Sequence, residues 1–300
     1  MQKKIAAVFI VGFILLTGII YYNNGVVSTG LGKEKPKIVI TLGQDLTEKQ
    51  KQEVMKMLGG WKKDKEARFI TISNAEERKY LEGKVDDKLI GTRAISCAYL
   101  ELLDGNSGVE VQTENITSIT SFMYANALTT AGVEDARVIV AAPFEVSGTA
   151  ALTGIIKAFE TANAEKLDAN AKETAYEELT ETYKLSDKYG KKNTENMIYD
   201  IKRQVIEKDA TTPEQIRPII IEISNHYSID LTTAEIDRII VLMQKFENIK
   251  LDTGKIDEQL SNLTRNLAEV QGAAHAGAGF LEQIISFLEN LVLQIKSMWS

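Results

Sequence analysis

Hydrophobic residues follow two kinds of spacing along this chain, and the change comes near residue 165. Before it, short β-branched runs alternate with helical stretches. Residues 37–43 (KIVITLG) and 68–72 (RFITI) predict two strands. Thr47 with Gln50 opens the helix between them, and Gly59-Gly60 stops it. Asn74 with Glu77 predicts the start of a second helix ending near Gly83. Strand, helix, strand, helix with short turns implies parallel pairing. Residues 90–103, the turn 104–108 and the run 109–113 read as a hairpin. Asp104 and Asn106 resemble the start of a calcium loop, but the glycine is misplaced and the twelfth position holds no Glu. Turn chemistry accounts for them.

The stretch 115–160 is the centre of this half, reading as helix, strand, turn and helix. Residues 138–142 are almost continuously apolar, as expected of a strand covered on both faces, and Pro143 is expected to end it. Ser147, as N-cap, with Gly148 and Thr149 then opens a helix carrying Ala151, Leu152, Ile155, Ile156 and Phe159 at helical spacing. The pattern predicts an α/β domain over 37–165, with α+β as the alternative: a mixed sheet of about five strands with helices packed on it.

Beyond 165 strand signals nearly vanish, which predicts an all-helical domain over 166–271. Helices are expected at 169–189, 195–207, 213–227 and 233–246, with a fifth carrying Ile256, Leu260, Leu263, Leu267 and Val270. Thr212-Pro213-Glu214-Gln215 and Thr232 with Glu235 are start signals; Pro218 implies a later start or a bend. After a glycine-rich joint at 272–279, an amphipathic helix over 280–299 repeats Leu281, Ile284, Leu288, Leu291, Ile295 and Met298 at alternating three and four spacing. This coiled-coil-like seam fits packing on its own domain, self-association into a homo-oligomer, or a partner helix. Its polar face carries Glu282, Glu289 and Lys296 rather than the basic stripe of a membrane-surface helix.

The amino terminus alters the address. Lys3 and Lys4 precede residues 5–22, which carry no charge, so 1–30 reads as a signal peptide or an N-terminal anchor. Export follows, with membrane contact only through this segment. A formal charge of −7, 7% aromatics and no basic cluster argue against nucleic acid as a partner. One Cys excludes an internal disulfide, and two distant His do not make a metal site; no metal and no cofactor are expected.

Several long segments then support a resemblance. ITLGQDLT, IGTRAISCAYLELLDGNSGVEVQTENITSIT, MYANALTTAGVEDARVIVAAPFEVSGTAALTGIIKAFE and AYEEL, over roughly residues 36–250, resemble the YpuA-like family of exported Gram-positive proteins, which share a domain of unknown function. The resemblance implies an extracytoplasmic protein of the cell envelope. It carries no catalytic residues across.

Candidate chemistry centres on the turn Ser147-Gly148-Thr149. A helix start presents free N–H groups and glycine admits a ligand to the backbone, so a carboxylate or phosphate could bind there. Arg93 and Ser96 are candidates to line the same sheet edge. The nucleophile-elbow pattern fails because Glu145 and Thr149 stand where glycines are required, and no Gly-Lys-Ser/Thr phosphate loop exists. Cys97 reads as a buried, inert thiol. The residues favour a non-enzymatic, exported envelope protein that binds an envelope component or a protein partner through the α/β domain. The alternatives are an envelope hydrolase with Ser147 and Glu145 in its cleft, and an assembly unit joined through the terminal helix.

Overall fold

The computed structural model of the protein describes residues 36–59, 67–85, 87–105 and 107–249. The leader, the expected helix at 256–270, the glycine-rich joint and the seam from Leu281 to Met298 lie outside the described residues.

The α/β part runs β1 (Ile38–Gly43), α1 (Glu48–Met57), β2 (Ala67–Ile72), α2 (Asn74–Leu81), the short α3 (Asp87–Ile90), β3 (Cys97–Leu102), β4 (Val109–Ile116), α4 (Ser121–Ala131), β5 (Ala136–Val146) and α5 (Thr149–Asn163). Helices α6 (Ala169–Tyr189), α7 (Lys191–Glu207), α8 (Pro213–His226) and α9 (Thr233–Lys245) follow, with a 3-10 turn over Phe246–Asn248. The class is α/β, with one mixed five-stranded sheet in the order β2-β1-β3-β5-β4.

β1 and β2 pair in parallel, as the short crossover predicted. The expected hairpin of β3 with β4 does not form. β5 lies between them, antiparallel to β3 and parallel to β4. The reason lies in what each strand buries. Cys97, Ala98, Tyr99 and Leu100 are all buried, as are Val138, Val140, Ala141 and Ala142, so both strands need cover on two faces and sit centrally. β4 buries Val109 and Val111 but exposes Gln112 and Glu114, which suits an edge. Asp135 ties the arrangement: its carbonyl accepts the Leu103 N–H (2.6 Å) and its carboxylate the Gly108 N–H (3.0 Å). The loop after β3 is thereby stitched across the start of β5.

Pro143 does not end β5. The pairing with β3 stops at Ala141, so no N–H is wanted at position 143 on that side, and the strand runs on to Val146 beside a bulged β4. One N-cap also differs from expectation. Ser73 with Glu76, rather than Asn74 with Glu77, forms the capping box of α2, which releases Glu77 to the interior. The boxes at Thr212 and Thr232 form as predicted, and α8 continues through Pro218.

Val54 and Leu58 of α1 and its C-cap cover one face of the sheet. Helices α4 and α5 cover the other, and the apolar cluster there continues into Ala175, Tyr176 and Leu179 of α6. A second cluster, including Leu185, Ile198, Ile220 and Ile240, joins α6 to α9. Between the clusters, Lys202 of α7 lies 2.9 Å from Glu178 of α6, the two side chains being 0% and 1% exposed. Asn126 and Thr130 of α4 both donate to Glu178 and accept from Lys202. Burial pulls the Lys202 ammonium below its ordinary pKa while Glu178 opposes the shift. A buried pair with its lone pairs and protons this fully used locks three helices in one register.

Candidate functional site

The turn between β5 and α5 is closed. Gly148 has φ +96° and is itself the N-cap, with no side-chain cap bond; Ser147 does not cap the helix. A Cβ at Gly148 would stand 2.5 Å from both Ile116 Cγ2 and the Tyr124 hydroxyl. The Tyr124 hydroxyl donates to the Gly148 carbonyl, and the Ile119 N–H donates to the Ser147 carbonyl. Thr149 is buried and its hydroxyl donates to the Leu89 carbonyl (3.3 Å). Ser147, half-buried, has its Oγ 3.2 Å from the Thr149 hydroxyl. The opening expected here is occupied by the protein's own side chains.

The helix start nevertheless has an acid beside it, supplied by α2. Glu77 is fully buried; one of its oxygens accepts from the Asn74 amide (3.3 Å), and its carboxyl lies beside the Thr149 hydroxyl. Burial pushes its pKa up to about 7, against the opposing pull of the Thr149 hydroxyl, the Asn74 amide and Arg78. Burial also drives the Tyr124 hydroxyl well above its ordinary pKa, and the charge of Glu77 adds to the shift. Sequence reasoning placed Glu77 at a helix cap; the overlapping spacing of Ser73 with Glu76 concealed its true position.

Arg93 is exposed, whereas Ser96 is buried. Cys97 beside it is fully buried, and burial pushes its thiol up to about 12 although the Gly43 N–H donates to it. That is the inert thiol expected. The five residues singled out are therefore not brought together on an open surface, and none of them lines either of the two clefts described next.

The larger cleft, about 900 Å3, lies at the far end of α5. Its walls are the ends of α4 (Ala131, with Gly132 as its cap) and α5 (Phe159, Asn163), the turn before β5 (Glu134, Asp135) and the α5–α6 link. Glu160 closes that link from within: it accepts from Lys166 (2.8 Å), Lys172 (2.7 Å) and the Leu167 N–H (3.1 Å). Burial works to raise its pKa, but the two lysines hold it below the ordinary range. The smaller cleft, about 380 Å3, runs where α6 meets α9 and is crossed by ion pairs such as Arg238 with Glu181 (2.9 Å). The sequence signals for the larger cleft are two acidic pairs just after helix ends, Glu134 and Asp135 after α4, and Glu165 and Asp168 after α5.

Among the described residues no group of three or more His, Cys, Asp or Glu is arranged to hold a metal ion, and no helix is long and apolar enough to cross a membrane. A family model described as a protein of unknown function, DUF1002, matches residues 42–263. A protein of Bacillus subtilis (strain 168), described as uncharacterized protein YpuA, is 34% identical over 263 residues, covering 87% of this chain and 89% of that protein. No solved structure matches the chain. The segments that carried the resemblance thus extend to agreement over most of both sequences, and the chain belongs to the DUF1002 family.

Proposed function

We propose that this protein is an exported cell-envelope protein that binds a ligand or a protein partner through its α/β part without turning it over. The observation that supports this is the 900 Å3 cleft, whose lining joins carboxylates to apolar side chains. Small-molecule sites have this size and this mixture of an apolar floor with a few placed polar groups. Two of the carboxylates already serve the backbone: Asp135 holds the Gly108 N–H and Asp168 holds the Ala171 N–H at the start of α6. Groups held this way suit recognition by shape and charge. Export is supported by the uncharged residues 5–22 behind Lys3 and Lys4.

The test is retention of the full chain on peptidoglycan, wall-polymer and membrane fractions of a Gram-positive bacterium. Saturable retention without release of soluble fragments is expected, and it is lost when Asn163→Trp fills the cleft. Released sugar or peptide fragments would favour an envelope hydrolase instead. Absence of retention on every fraction removes the proposal.

A further inference from the structure

We infer that the outer edge of β2 docks a second copy of this chain, the two β2 strands pairing antiparallel about Phe69 so that two sheets become one. No residue of the large cleft takes part, so the contact is independent of the binding role proposed above.

Backbone direction decides which groups the edge offers. The Gln44 N–H donates to the Ile72 carbonyl (2.9 Å), and Ile72 lies opposite Gly43 in the parallel pairing of β1 with β2. Ile72 therefore turns its backbone groups toward β1, and by alternation so do Ile70 and Arg68. Ala67, Phe69 and Thr71 turn theirs away from the sheet, where among the described residues no strand lies beside them. Phe69 is also 46% exposed, and Thr71 is exposed next to it on the same face. An aromatic ring and a row of unused donors and acceptors thus share one edge.

The two edges of the sheet treat a newcomer differently. On β4 the register breaks between Glu114 and Ile116, Asn115 has φ +59°, and Glu110 and Glu114 share one face. A bulge and like charges both discourage a second β4 from pairing there. β2 carries neither device. Its register with β1 is unbroken over 6 residues, and those residues include no proline and no acid.

The same pattern favours an identical strand. With a twofold axis at Phe69, that residue faces its own copy, Ala67 faces Thr71 of the second copy, and Arg68 faces Ile70. This register brings the outward-turned groups of both strands together, so each facing pair of outward residues exchanges both its bonds. The exposed rings become a cross-strand aromatic pair, and each Arg68 stands opposite an isoleucine; centring on Arg68 instead would oppose two like charges. An isologous contact of one strand pair is small, which makes the dimer weak and reversible.

The test is sedimentation equilibrium of the full chain together with cysteine cross-linking. A reversible dimer populated by about 100 μM is expected. Thr71→Pro removes an outward N–H without touching a bond to β1, so the melting temperature should change little while dimerisation weakens about tenfold or more. Phe69→Cys should cross-link to its copy under mild oxidation, since facing residues of such a pair stand about 5.5 Å apart. Arg68→Cys should not, and Cys97 is buried and stays out of the reaction. A full chain that remains monomeric overturns the proposal, as does cross-linking through Arg68→Cys equal to that through Phe69→Cys. Undiminished dimerisation of a folded Thr71→Pro variant also overturns it and moves the contact to another part of the chain.

Discussion

Helix α5 has a closed end and an open end. At its start, Gly148 and Thr149 are packed under Ile116 and Tyr124, with a carboxyl from α2 beside them. At its finish, Asn163 borders a cleft of about 900 Å3. A helix start in an α/β fold is the customary place for an anionic ligand, yet here the fold spends that end on itself. The sheet is mixed, so the rule that ligands gather beyond the carboxyl ends of parallel strands gives no single edge to search. Polar groups at a helix end mark a site only when the chain leaves them something to bind.

The largest expected effect tests the frame that holds the open end. Asn126 and Thr130, near the finish of α4, are tied to α6 and α7 by the Lys202–Glu178 pair. Lys202→Met leaves a buried carboxylate without its cation and is expected to cost about 3–5 kcal/mol in urea unfolding. Lys202→Met combined with Glu178→Leu should recover only part of that loss, since an apolar pair of similar volume needs no desolvated charge but leaves the buried Asn126 amide without its partners. A cost below about 1 kcal/mol for the single change would mean the three helices are held by packing alone.

The next prediction sets the two ends against each other at glycines of like backbone. Gly148 (φ +96°) would place a Cβ 2.5 Å from two side-chain atoms, whereas Gly132 (φ +86°), in the cleft wall, would meet only Leu167 Cδ2 at 3.6 Å. Both substitutions to Ala carry the left-handed penalty of about 1 kcal/mol, and only the first adds overpacking of about 1–3 kcal/mol. Thermal unfolding of Gly148→Ala and Gly132→Ala should separate by several degrees. Equal losses would show that the closed end has room to yield.

The smallest effect concerns pH. Folding raises the Glu77 pKa from 4.5 to about 7, so its contribution to stability is full below 4.5 and is lost as pH rises through 7. Glu195, raised to about 7 by burial against the Thr120 hydroxyl, acts over the same window. Glu235, held at about 2 by Lys188, Thr232 and Tyr189 although burial opposes them, contributes above 4.5 and fades only as pH falls through 2. Stability is therefore expected to decline between pH 4.5 and 7, and Glu77→Gln should remove about 2 kcal/mol of that decline. An unchanged slope in the variant would mean Glu77 is ionised and hydrated in the folded protein.

Local signals read well where one element decided them. Residues 169–189 form α6 with the expected ends, β1 and β2 pair in parallel, and the boxes at Thr212 and Thr232 form. What escaped was non-local or degenerate. Ser73 with Glu76 and Asn74 with Glu77 offer the same cap one residue apart, and packing chooses between them. Nothing near 104–108 discloses that β5 will part β3 from β4, because the two-sided burial of β5 counts only once its neighbours are known. Lys202 and Glu178 look like solvated charges on separate helices until they meet. The cleft is assembled from five stretches between Leu102 and Ile249, so the acidic pairs after α4 and α5 announce a cavity only once those stretches are brought together.

The insertion of β5 has an implication for how the chain matures. β3 and β4, only a few residues apart, cannot settle against each other; each waits for residues 136–146 to supply the ladder between them. A chain cut short before Ala136 would carry two unfinished edges, one of them backed by Cys97, Ala98, Tyr99 and Leu100. Such a fragment is sticky by construction, and the sheet becomes safe from mispairing only when β5, the last of its five strands to be synthesised, slides in between β3 and β4.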